Sequence, residues 1–112
     1  MITQKRMNIP IFDYKLTVII FDKWEEVNHI FKGNGVPGTT LADLEHGNAI
    51  VGISSVKGEN SIVHEAEHVK NFLRDYIGYE PQADNDEVDA YLIGYIYKKI
   101  REVFDKHDRA AQ

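Results

Sequence analysis

The run Ser61-Ile62-Val63-His64-Glu65-Ala66-Glu67-His68-Val69-Lys70-Asn71-Phe72-Leu73 decides how the rest of the chain is read. Ile62, Ala66, Val69 and Leu73 recur at helical spacing, and Tyr76 and Ile77 continue the stripe, so the run predicts an amphipathic helix. Gly58-Glu59-Asn60-Ser61 punctuates the chain before it, with Asn60 or Ser61 able to cap it, and Gly78 with Pro81 beyond supplies its end. Inside the helix the letters read H-E-x-x-H. His64 and His68 are one turn apart and point the same way, about 6 Å from each other, which suits two ligands of one tetrahedral zinc ion. Glu65, between them, can reach a water on such an ion. His64 and His68 lie beside the apolar stripe, so they are expected to face a neighbouring element or a cleft.

The chain has 112 residues, enough for one compact domain with a single core. The expected limits are a tail at residues 1–8, one domain over residues 9–107 and a second tail at residues 108–112. The hydrophobic fraction of 43% and charged fraction of 28% are those of a folded soluble protein. There is no cysteine, so thiolate metal sites, disulfides and cysteine nucleophiles are excluded, and a metal must be held by histidine and carboxylate. A formal net charge of −5 argues against a nucleic-acid partner, since no basic stripe is present to displace phosphate counterions. No stretch is apolar enough to span a membrane, and none resembles a signal peptide, so a cytoplasmic location is expected.

Upstream of the motif, Ile9 to Phe21 is rich in β-branched and aromatic residues and reads as one strand. Asp22 offers an N-cap, and Trp24, Val27, Ile30 and Phe31 predict a short helix reaching Lys32, where Gly33-Asn34-Gly35-Val36-Pro37-Gly38 stops it. Thr39 to Leu44 and Ala49 to Val56 read as a hairpin joined through Glu45-His46-Gly47-Asn48. Gly52 interrupts the second strand, either to admit another backbone or as a bulge. Downstream, Val88, Leu92, Tyr95, Ile96, Ile100, Val103 and Phe104 predict a long second helix from about Asp84 to His107. The expected fold is α+β: a small antiparallel or mixed sheet of about three strands, packed on the motif helix and a C-terminal helix.

A catalytic zinc takes three protein ligands and keeps one position open. Glu87, separated from His68 by eighteen residues, can return beside the motif helix and is the expected third ligand. Asp86 and Asp89 are its substitutes, either of which could instead orient a ligating histidine. Asp84-Asn85-Asp86-Glu87 also reads as a capping box, in which Glu87 would bond back to the Asp84 backbone. His29, His46 and His107 have no partner at metal-ligand spacing and read as solvated polar residues.

The segments His64-Glu65-Ala66-Glu67-His68 and Glu87-Val88-Asp89-Ala90-Tyr91-Leu92-Ile93-Gly94 together resemble the small zincin-type metallopeptidases of phages and mobile elements, and the related ImmA/IrrE-type peptidases. In that group the third ligand is a glutamate opening an E-x-x-A helix. The order of strand, helix, hairpin and motif helix is similar to the minimal zincin half-domain, so the resemblance covers most of Ile9 to Phe104. It implies a zinc-dependent peptidase with one zinc on His64, His68 and Glu87, Glu65 as general base and then general acid, and Tyr91 as the oxyanion donor. It also implies a peptide or protein substrate laid along Ile50, Val51, Gly52, Ile53 and Ser54 by strand addition. The alternative is a non-catalytic regulatory or inhibitory binding protein of phage type on the same scaffold. A third reading is a helical regulator in which the motif arises by chance.

Overall fold

A computed structural model describes residues 1–10, 12–78 and 87–111, with only the backbone described at Glu87. Its elements are the strands β1 (Ile2–Ile9), β2 (Tyr14–Phe21), β3 (Gly38–Asp43) and β4 (Asn48–Ser54), followed by the helices α1 (Ile62–Ile77) and α2 (Glu87–Ala110). The α+β class is as expected, but the sheet has four strands, in the order β1-β2-β4-β3, where about three were expected. β1 pairs antiparallel with β2, β2 parallel with β4, and β3 antiparallel with β4.

The extra strand is the segment read as an N-terminal tail. Lys5 and Arg6 obscure its pattern, yet they suit an outer strand with one unpaired edge, where charge discourages pairing with another chain. The stretch Ile9 to Phe21 is therefore not one strand: it ends β1, turns through a positive φ of 51° at Asp13, and returns as β2.

Leu16, Val18 and Ile20 of β2 and Ala49, Val51 and Ile53 of β4 point to one side of the sheet, as their register pairing requires. There they meet Ile62, Ala66, Val69 and Leu73 of α1 and Leu92, Ile96, Ile100 and Val103 of α2 in the main core. α1 lies over β3 and β4, and α2 over β1 and β2. Among the described residues, no helix is long and apolar enough to cross a membrane.

The opposite face carries a second, smaller core of Ile19, Phe21, Val27 and Phe31, with Trp24 packed against it. The expected helix from Asp22 to Lys32 is only a 3-10 turn at Trp24–Glu26 followed by further turns. Glu26 folds back to accept the backbone N–H groups of Asp22 and Lys23, each at 2.9 Å, which closes the chain into a tight turn. So short a segment gains little from helical hydrogen bonds alone, and packing of Val27 and Phe31 on the sheet sets its path. Gly52 belongs to this packing. A Cβ there would come within 2.5 Å of the Phe31 ring, so the glycine admits an aromatic side chain, neither a backbone nor a bulge.

α1 runs as the apolar spacing predicts. Gly78, with φ 73°, takes the left-handed cap position and its N–H bonds to the Arg74 carbonyl. At the other end Ser61 makes no side-chain cap bond; a 3-10 turn, Glu59–Ser61, leads into the helix instead.

Candidate metal centre

His64 and His68 project from α1 at its exposed flank, and their Nε2 atoms converge to 3.0 Å. Two ligands of a tetrahedral zinc with bonds of 2.0–2.1 Å stand about 3.3 Å apart, so the pair needs only a slight widening to share an ion. The donor set of two imidazole nitrogens suits zinc. Without an ion, one ring donates to the other.

Beside the histidines lies a shallow cleft of about 280 Å3, lined by Gly38, Thr39 and Thr40 of β3 and His64, Glu65, His68 and Phe72 of α1. Glu65 is only 3% exposed. Its Oε1 accepts the Thr40 hydroxyl at 2.7 Å, and its side chain lies against Gly38. Glu67, the other carboxylate of the motif, is committed elsewhere: Lys70 donates to it at 2.9 Å and holds its carboxyl below the usual carboxylate range. The cleft thus takes both histidines and one of the two glutamates.

The helix α2 meets a different flank of α1. Asp89 Oδ2 accepts from Arg74 at 3.2 Å and lies 3.7 Å from the buried Lys70 ammonium. At about 100° per residue, Lys70 and Arg74 stand roughly a third of a turn around α1 from the two histidines. Asp89 is therefore an ion-pair residue of the α1–α2 contact, and does not serve as the substitute ligand. The Glu87 side chain and Asp86, as well as the Asp84 capping box, lie outside the described residues. Among the described residues no group of three metal-ligating side chains is assembled.

Two further expectations are corrected. Tyr91 is 75% exposed and lines a separate apolar cavity of about 420 Å3 with Ile9, Pro10, Phe12, Val88, Leu92 and Tyr95, so it is not beside the cleft as an oxyanion donor. Ile50, Val51, Gly52, Ile53 and Ser54 belong to β4, which is hydrogen-bonded on both sides, by β2 and by β3. They offer no edge for strand addition. Among the described residues, the unpaired edge nearest the motif is that of β3, whose Gly38, Thr39 and Thr40 wall the cleft.

These three cleft residues, with Phe72, are the site residues that sequence reasoning missed. Phe72 follows His68 at the same one-turn spacing as His68 follows His64, and that periodicity was a usable signal; for Thr40 there was none short of the strand register. His107 also departs from its expected role as a solvated residue. It is 1% exposed, with Nδ1 at 2.7 Å from Thr3 Oγ1 and Nε2 at 2.8 Å from Asp22 Oδ1.

Comparison of the chain with known protein families, with curated proteins and with solved structures gives no match.

Proposed function

We propose that the chain is a zinc-dependent metallopeptidase of zincin type, related to the phage and ImmA/IrrE-type peptidases. The observation that carries this reading is the 3.0 Å convergence of the His64 and His68 Nε2 atoms at a cleft that also takes the Glu65 carboxylate. A zinc ion held there would supply a Lewis acid that polarises a peptide carbonyl and acidifies water at neutral pH. His64 and His68 would hold the ion, with Glu87 as the third ligand. Glu65 accepts the proton of the attacking water and returns it to the leaving amine. The open edge of β3, in place of β4, takes the extended peptide. The protein works in the cytoplasm, in keeping with its lack of cysteine.

The second reading, a non-catalytic regulatory or inhibitory binding protein on the same scaffold, is favoured by one observation: Tyr91, the expected oxyanion donor, lines a different cavity. One experiment separates the two. Protein purified without chelator should carry about one zinc per chain and cleave a mixture of fluorogenic peptides, and Glu65→Gln should keep the zinc and lose cleavage. No zinc uptake on titration would remove the peptidase reading. Zinc binding without cleavage by the wild type would leave the binding protein.

A further inference from the structure

We propose that Thr40 and Gly38 of the edge strand β3 are positioning residues for Glu65, fixing the carboxylate that serves as general base. This rests on the peptidase reading. Two independent observations carry it. The first is the hydrogen bond from the Thr40 hydroxyl to Glu65 Oε1, at 2.7 Å, between residues twenty-five positions apart. A carboxylate has no hydrogen to donate, so the hydroxyl must be the donor, and Oε1 is thereby committed to β3. The second is the cradle at Gly38. A Cβ there would stand 3.1 Å from Glu65 Cγ, 3.2 Å from Oε2 and 2.9 Å from Ser61 Cβ. Gly38 has no positive φ, so backbone conformation does not demand a glycine; the space taken by Glu65 and Ser61 does.

With Oε1 held by Thr40 and the stem held against Gly38, Oε2 is the oxygen left for the proton of the attacking water. The arrangement explains why Glu65 is buried while its motif partner Glu67 turns to Lys70. It also gives β3 two tasks at one place: its outer edge borders the cleft and its inward side chain sets the base. A general base held in reach of its proton contributes about 100-fold or more to rate, and losing its orientation forfeits a share of that without weakening substrate binding.

The test compares wild type with Thr40→Val, Thr40→Ser and Gly38→Ala, each shown to be folded by circular dichroism and assayed for zinc content and for cleavage of a fluorogenic peptide mixture. Thr40→Val should keep one zinc per chain and lower kcat at least about 10-fold, with KM within about twofold of wild type. Thr40→Ser, which restores the hydroxyl, should recover most of kcat. Gly38→Ala should lower kcat with the Thr40 hydroxyl intact, and it carries the test if Thr40→Val does not fold. Wild-type kcat in both Thr40→Val and Gly38→Ala, or a loss that Thr40→Ser does not recover, would overturn the positioning role alone. Absence of cleavage by zinc-loaded wild type would overturn the role and the peptidase reading together.

Discussion

His107 and Asp22 are eighty-five residues apart in the chain and meet at 2.8 Å, where the Nε2–H of the buried ring donates to Oδ1 of the carboxylate. The carboxylate can only accept, so Nε2 carries a proton, and the other ring nitrogen, Nδ1, meets the Thr3 hydroxyl at 2.7 Å. Ser55 also donates to Asp22 Oδ1. The end of α2 is thus tied at once to β1 and to the exits of β2 and β4. His107→Ala leaves a cavity and unpaired groups, and should cost about 2–4 kcal/mol in chemical denaturation.

The Asp22 carboxyl is held well below the usual carboxylate range, first by the Ser55 hydroxyl and then by His107. A depressed folded-state pKa means that its stabilisation is complete above the unfolded value, about 3.9, and is lost as pH falls below it. Thermal melts between pH 6 and pH 2 should show this decline in wild type, and Asp22→Asn should flatten it while lowering stability at pH 6.

Because His64 and His68 are both exposed, removing either should change the stability of metal-free protein by no more than about 0.5 kcal/mol. Zinc should raise the melting temperature of wild type by binding the folded state, and His64→Ala or His68→Ala should abolish that rise. A zinc-dependent rise undiminished in both variants would place the ion elsewhere.

Asp89→Ala should separate the ion-pair role from a ligand role. It removes an acceptor of Arg74 and leaves Lys70 paired with Glu67 alone, so a loss of about 1–3 kcal/mol is expected with zinc stoichiometry unchanged. Loss of zinc in a folded Asp89→Ala protein would restore Asp89 as a ligand.

Gly52→Ala would drive a methyl group to within 2.5 Å of the Phe31 ring. Overpacking of this kind costs about 1–3 kcal/mol. Combining it with Phe31→Leu should recover part of the loss, measurable as a non-additive double mutant.

The Tyr14 hydroxyl is buried and has no hydrogen-bond partner among the described residues, and burial, with Asp43 and Tyr76 nearby, pushes its pKa up to about 12. Its unfolded value is about 10, so the folded state loses stability as pH rises from about 10 toward that raised value. Tyr14→Phe should be neutral or stabilising by up to about 1 kcal/mol at pH 7, and should remove that alkaline loss.

The helix α1 was legible because its information is local: apolar spacing and a terminal glycine fix where it runs, and H-E-x-x-H sets two histidines on one flank. What escaped reading depends on pairing between distant segments. The parallel partnership of β2 with β4 leaves no local mark, yet it moves β4 to the interior of the sheet and gives the cleft edge to β3. The polar β1 reads as a tail because, before Ile9, it buries only Thr3 and Met7 on one side, and those partly. The same is true of Asp89, whose carboxylate goes to Arg74 and Lys70 once α2 packs on the other flank of α1. Val27 and Phe31 lie in turns and not in the expected helix, since i, i+4 spacing also fits a chain that turns over a sheet and packs both residues on it.

The connection between the parallel strands β2 and β4 places Trp24 5.8 Å from Phe21, edge to face, on the side of the sheet away from both helices. Trp24 is the single tryptophan of the chain. Its fluorescence therefore watches the smaller layer, while far-ultraviolet dichroism follows α1 and α2. Denaturation curves from the two signals need not overlay, and a gap between them would measure how tightly the sheet couples the layer beneath it to the one that carries the cleft.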